Sequence, residues 1–133
     1  MKKYVLKAGS TSLESLVIVE QDEPKAKPGE VVIRVRACSL NFRDQAVVTG
    51  NYFGGVLKND TVPLSDAAGE VVAVGDGVTE FKPGDRVAGL FIPNWHDGPP
   101  NPTAGPALGA SGCDGMLAEY VALPERGVVK IAD

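Results

Sequence analysis

No apolar stretch in this chain runs far before a glycine or a proline interrupts it, which argues against long helices. The 16 glycines and 10 prolines among its 133 residues fall between short aliphatic runs rich in valine. Such spacing belongs to many short strands joined by tight turns. The clearest run is Glu30–Ala37, where Val31, Ile33, Val35 and Ala37 share one side of a period-two pattern and Arg34 and Arg36 the other. That is a half-buried strand.

Further strands are expected over Lys2–Ala8, Leu16–Gln21, Val71–Val74, Arg86–Ile92, Met116–Leu123 and Val128–Ile131, with turns at Pro24–Gly29, Asp76-Gly77 and Pro83-Gly84-Asp85. One short helix is expected from about Phe42 to Thr49, stopped by Gly50. Gly69 and Gly75 bracket a strand, and glycine there marks a bulge, bend or close backbone approach of the kind that closes small barrels. Asn94–Gly115 has almost no periodicity and is dense in glycine and proline, so it reads as a long surface loop, functional or disordered. The expected fold is mainly β, a partly open barrel with one or two short helices.

A chain of 133 residues forms one domain, 1–133, able to bury roughly two thirds of its unfolded surface. The formal charge of −4 offers no basic stripe for nucleic acid, and no apolar run approaches the roughly 20 residues of a membrane helix. Two cysteines, Cys38 and Cys113, and no leader-like segment point to a cytoplasmic protein without a disulfide framework. Cys38, His96, Cys113 and Asp114 do not fall at metal-ligand spacings.

The segment Pro63–Gly89, PLSDAAGEVVAVGDGVTEFKPGDRVAG, resembles the GroES-like catalytic domain of the medium-chain dehydrogenase/reductases. In the zinc-dependent alcohol dehydrogenases of that family the run opens with Gly-His-Glu, two small residues and Gly. Here it opens Leu64-Ser65-Asp66-Ala67-Ala68-Gly69, with Ser65 at the position of the ligating His and Asp66 at that of the Glu. A second segment, Ala37-Cys38-Ser39-Leu40-Asn41-Phe42-Arg43-Asp44, resembles the stretch in which a zinc-binding Cys stands three residues before an Asp, and Asn41 occupies the Cys position. Amides are poor zinc ligands beside thiolate, imidazole and carboxylate. The structural-zinc lobe of four cysteines has a single counterpart, Cys113. These departures resemble the zinc-free, quinone-reductase-like branch, so no metal is expected.

The resemblance implies hydride transfer between NADPH or NADH and a small-molecule carbonyl, enone or quinone, in a homo-oligomeric enzyme with no nucleic-acid or membrane partner. Without a Lewis acid, hydrogen-bond donors must stabilise the charge growing on the substrate oxygen. The implied catalytic residues are Asn41, Tyr52, Arg43 and Asp66; Asn41 and Phe42 would meet the cofactor, and Ser65 and Trp95 would line the substrate pocket. Each has a plainer reading as well. Asn41 is a natural helix cap, Tyr52 a packed loop aromatic, Arg43 and Asp44 a surface ion pair, and Asp66 a turn residue holding backbone amides. His96, the only histidine, reads as a solvated loop residue.

No GxGxxG turn sits between a strand and a helix, and Gly109–Gly115 is glycine-rich without that context. The expectation is therefore a substrate-side domain whose cofactor domain lies outside these residues, unable alone to bind NADPH or NADH. The alternative is a free-standing GroES-like barrel acting as a non-catalytic binding or assembly module.

Overall fold

The computed structural model describes residues 1–99, 101–110 and 112–132. Among them the strands are β1 (Lys2–Leu6), β2 (Leu16–Glu20), β3 (Glu30–Ser39), β4 (Asp66–Val74), β5 (Arg86–Gly89), β6 (Tyr120–Pro124) and β7 (Val128–Lys130), with one α-helix, α1 (Phe42–Val48). Strands β6-β3-β4-β5-β7 form one antiparallel sheet, and β1 and β2 pair as a separate ribbon. Isolated bridges at Lys3↔Ala118 and Leu6↔Thr61 tie the ribbon to the rest. The result is the mainly β, partly open barrel that the short aliphatic runs imply.

The strands curl around a core of Val31, Ile33, Val71, Val87, Leu108 and Met116, all fully buried. Burial of each such side chain is worth about 1.5–3 kcal/mol. A second cluster, Leu6, Val47, Val48 and Leu57, seats α1. The helix starts where expected because Asn41 has the extended backbone of an N-cap and the Asp44 carboxylate accepts the Asn41 backbone N–H at 2.8 Å, as in a capping box.

Three expectations need correction. Strand β4 begins at Asp66, not Val71, so Gly69 lies inside it, paired with Val35 and Val87. A Cβ on Gly69 would stand 2.3 Å from the Arg34 carbonyl oxygen, and only glycine permits that approach. In β3 the alternation breaks after Val35, where Arg36 is bulged out of register with β4. Ala37 consequently turns outward and Cys38 packs on the core.

The third concerns Asn94–Gly115, which is not simply a surface loop. Leu108 is wholly buried, Ala104 nearly so, and Leu108 N–H bonds the Phe91 carbonyl at 2.9 Å. Pro102–Ala104 forms a 3-10 turn capped by the Asn101 side chain. The loop closes onto residues 62–64 through Val62 N–H to Asp114 Oδ1 (2.9 Å), Gly115 N–H to the Val62 carbonyl (2.7 Å) and Met116 N–H to the Leu64 carbonyl (2.9 Å). Pro100 and Ser111 of this segment lie outside the described residues.

Candidate active site

The last rung of the β3–β4 ladder pairs Ser39 with Asp66. Just beyond Ser39 the chain turns into the helix cap at Asn41. Before Asp66 it passes through Leu64, whose φ of 70° makes it the one described non-glycine residue with positive φ. Such backbone is costly for a branched side chain and clusters at functional sites. The two turns bring Asn41, Ser65 and Asp66 together. Asn41 Nδ2 donates to Asp66 Oδ2 at 2.7 Å, and Ser65 Oγ donates to the same oxygen at 2.5 Å.

Ser65 is fully buried and its hydroxyl is spent on Asp66, so it supports the carboxylate from within rather than facing a pocket. Asn41 is exposed and has committed one amide hydrogen to Asp66, leaving its second hydrogen for a ligand, while its side chain also takes part in the capping box of α1. The plain reading of Asp66 as a holder of turn amides is replaced by a side-chain network.

Asn41 opens onto a cleft of about 680 Å³ between α1 and the 3-10 turn Leu13–Ser15, a volume suited to a small organic ligand. Its walls include Leu13, Leu40 and Phe42, which are 70%, 82% and 86% exposed. No lysine or arginine lines it. The cleft therefore offers an apolar face for a flat ring and a polar corner at Asn41, with nothing cationic for a pyrophosphate. Leu13 and Leu40 escaped the sequence reading; an unpaired leucine just before the cap residue was the available signal.

Arg43 pairs with Asp44 in the interior rather than at the surface, Nη1 standing 3.5 Å from Asp44 Oδ1. Its side chain is 11% exposed, Nη1 donates to the Leu108 carbonyl at 3.0 Å, and Cζ lies 4.8 Å from the Tyr52 ring centroid and 5.0 Å from that of Phe91. Tyr52 is half-buried against the α1 cluster, edge-on to Phe53, and is not among the cleft-lining residues. Trp95 lines a separate hollow with Ile92, Asn101, Pro102 and Ala104 and donates Nε1–H to the Asp97 carbonyl. The structure thus places Asn41 and Phe42 on one cleft, with Asp66 bonded to Asn41 and the buried Ser65 bonded to Asp66, packs Tyr52 on Arg43 outside that cleft's lining, and sets Trp95 apart.

Burial pushes the Cys38 thiol up, and Cys113 is raised by burial and then by the Asp114 charge. Among the described residues no cluster of three or more His, Cys, Asp or Glu gathers, and no helix is long and apolar enough to cross a membrane.

A curled antiparallel sheet, with its polar cluster where the longest strand runs into a short helix, defines a GroES-like domain. The chain belongs to the alcohol dehydrogenase GroES-like domain family, whose model matches residues 27–133. It is 34% identical over 128 residues to a zinc-type alcohol dehydrogenase-like protein of Schizosaccharomyces pombe, covering 96% of this chain and 37% of that protein. The structure of an NAD-dependent alcohol dehydrogenase superimposes with a TM-score of 0.78 at 32% identity, covering 98% of this chain and 39% of the other. A quinone oxidoreductase of Pseudomonas syringae pv. tomato superimposes with a TM-score of 0.70 at 32% identity, covering 100% and 34%. The chain thus spans little more than a third of the length of these relatives.

Proposed function

We propose that this domain is the substrate side of an NAD(P)-dependent oxidoreductase that moves a hydride between a nicotinamide and a small carbonyl, enone or quinone without zinc, working with a separate dinucleotide-binding domain. The observation that carries this reading is the Asn41–Asp66–Ser65 cluster at the edge of an apolar cleft. Asp66 accepts from both neighbours and so fixes the Asn41 amide, whose remaining hydrogen donates to the substrate oxygen as negative charge grows there. A preorganised donor of this kind lowers the barrier because it need not reorient during reaction. Tyr52, which does not line the cleft itself, is the proposed second donor, its ring packed on Arg43 of α1.

Phe42 offers the nicotinamide an apolar wall beside Asn41. When bound, the cofactor supplies the hydride. The cleft lacks cationic residues, so the phosphates are held by the other domain. A zinc ion does not fit the cluster: Asn41 and Ser65 present donors, not lone pairs, to Asp66, leaving one carboxylate where zinc needs several N, S or O ligands. The enzyme is expected to act as a homo-oligomer in the cytoplasm.

The test is reduction of enones, quinones and aldehydes by NADH and NADPH in the full polypeptide, before and after exhaustive dialysis against a chelator. Equal turnover in both preparations is expected. Turnover lost to the chelator and restored by zinc would overturn the metal-free reading. No hydride transfer to any substrate class would favour a non-catalytic binding module.

A further inference from the structure

We infer that Arg43 is a positioning residue: its guanidinium sets the place of the Tyr52 side chain by stacking with Tyr52 and Phe91 while tethering the long loop at Leu108. Three segments distant in sequence meet at this one group: the stretch after α1, the exit from β5, and the Asn94–Gly115 segment. Arg43 Cζ lies 4.8 Å from the Tyr52 ring centroid and 5.0 Å from that of Phe91, both within cation–π range. Nη1 reaches the Leu108 carbonyl at 3.0 Å.

The arrangement is not optimised for stability. Nε and Nη2 are buried with no hydrogen-bond partner among the described residues, as is Asp44 Oδ1, which stands 3.5 Å from Nη1. A buried cation with idle donors costs stability. Aliphatic side chains would pack these segments more cheaply, but they supply no in-plane donor for Leu108 and no planar cation for the aromatic rings. Lysine fails for a related reason, because a point charge on a flexible stem cannot stack on a ring and hold a carbonyl in a fixed fork. Geometry maintained at a cost to stability is the mark of a placement role.

The inference rests on the reading of Tyr52 as a donor, and its test separates the two. Ring resonances of the three tyrosines, Tyr4, Tyr52 and Tyr120, are compared between wild type and Arg43→Lys. Tyr52 signals are expected to shift while Tyr4 and Tyr120 stay in place; an unmoved Tyr52 overturns the inference. Should Arg43→Lys not unfold cooperatively, Phe91→Leu removes the second ring at a residue 41% exposed, where folding tolerates change. It should displace Tyr52 by a smaller amount, and no displacement again overturns the inference.

In the full polypeptide, Arg43→Lys should lower kcat by about 10²-fold with little change in cofactor KM, the scale expected for a misplaced catalytic group. In a Tyr52→Phe background it should add nothing further. Additive losses would show that Arg43 acts by another route and overturn the inference. Wild-type turnover in Tyr52→Phe, with Tyr52 still displaced by Arg43→Lys, would sink the donor reading and leave the positioning role standing.

Discussion

Gly115 presses so closely on Leu64 that a Cβ added to the glycine would lie 2.0 Å from the Leu64 carbonyl oxygen. Leu64 is the residue held at positive φ immediately before Ser65 and Asp66, so the end of the long loop and the polar cluster share one tight backbone contact. Gly115→Ala should force that backbone apart and cost about 1–3 kcal/mol, as overpacked sites do. Urea unfolding measures it, and a wild-type midpoint would show that Leu64 yields without penalty.

Leu108→Ala tests whether the glycine- and proline-rich segment belongs to the core. A leucine with no exposed surface should cost about 2–5 kcal/mol on truncation. A surface loop would lose almost nothing. The same denaturant titration separates the two, and a loss under about 0.5 kcal/mol would remove Leu108 from the core.

Asn41→Ala deletes the amide that bonds Asp66 while leaving the Asn41 backbone N–H for the Asp44 carboxylate. Stability should fall by about 1 kcal/mol, whereas turnover of the full polypeptide should drop by about 10²-fold. Steady-state kinetics beside thermal unfolding gives both. Unchanged turnover would reduce Asn41 to its capping position.

Both cysteines should be sluggish nucleophiles. Their raised pKa values leave less thiolate at neutral pH than a free cysteine has, so iodoacetamide should label Cys38 and Cys113 slowly and faster as pH climbs. The folded state holds these protons more tightly than the unfolded chain. Its advantage is therefore full below the ordinary thiol range, near pH 8.5, and is lost as pH rises through the folded values. Mass spectrometry of alkylated protein against pH reads this directly, and labelling at free-cysteine rates at pH 7.5 would contradict it.

Local pattern carried β3, the start of α1 and the main turns, because alternation and cap chemistry are written in consecutive residues. The family resemblance carried the proximity of Asn41, Ser65 and Asp66. Three features needed the partner strand or a distant loop to be visible. Arg36 bulges because β4 pairs around it, Leu64 takes positive φ because residues 115 and 116 close on it, and Arg43 is buried by aromatic rings far along the chain. A charged residue on the first turn of a short helix reads as solvated, and nothing beside it announces Phe91. Leu108 was hidden for the opposite reason, as one apolar residue in a stretch whose breakers erase any period.

The ladder between β3 and β4 carries one bulge on each strand, an extra Val72 on β4 and an extra Arg36 on β3, so the pairing at Ser39–Asp66 returns to the register it has at Val31–Val74. The two irregularities act as a matched pair, like a frameshift and its suppressor. Deleting either residue alone would slide Asn41 past Asp66 by one position and turn the affected side chains to the opposite face. Deleting both would shorten the sheet yet keep the rung on which the polar cluster is built. At these two bulges a balanced pair of deletions is expected to be better tolerated than either deletion alone.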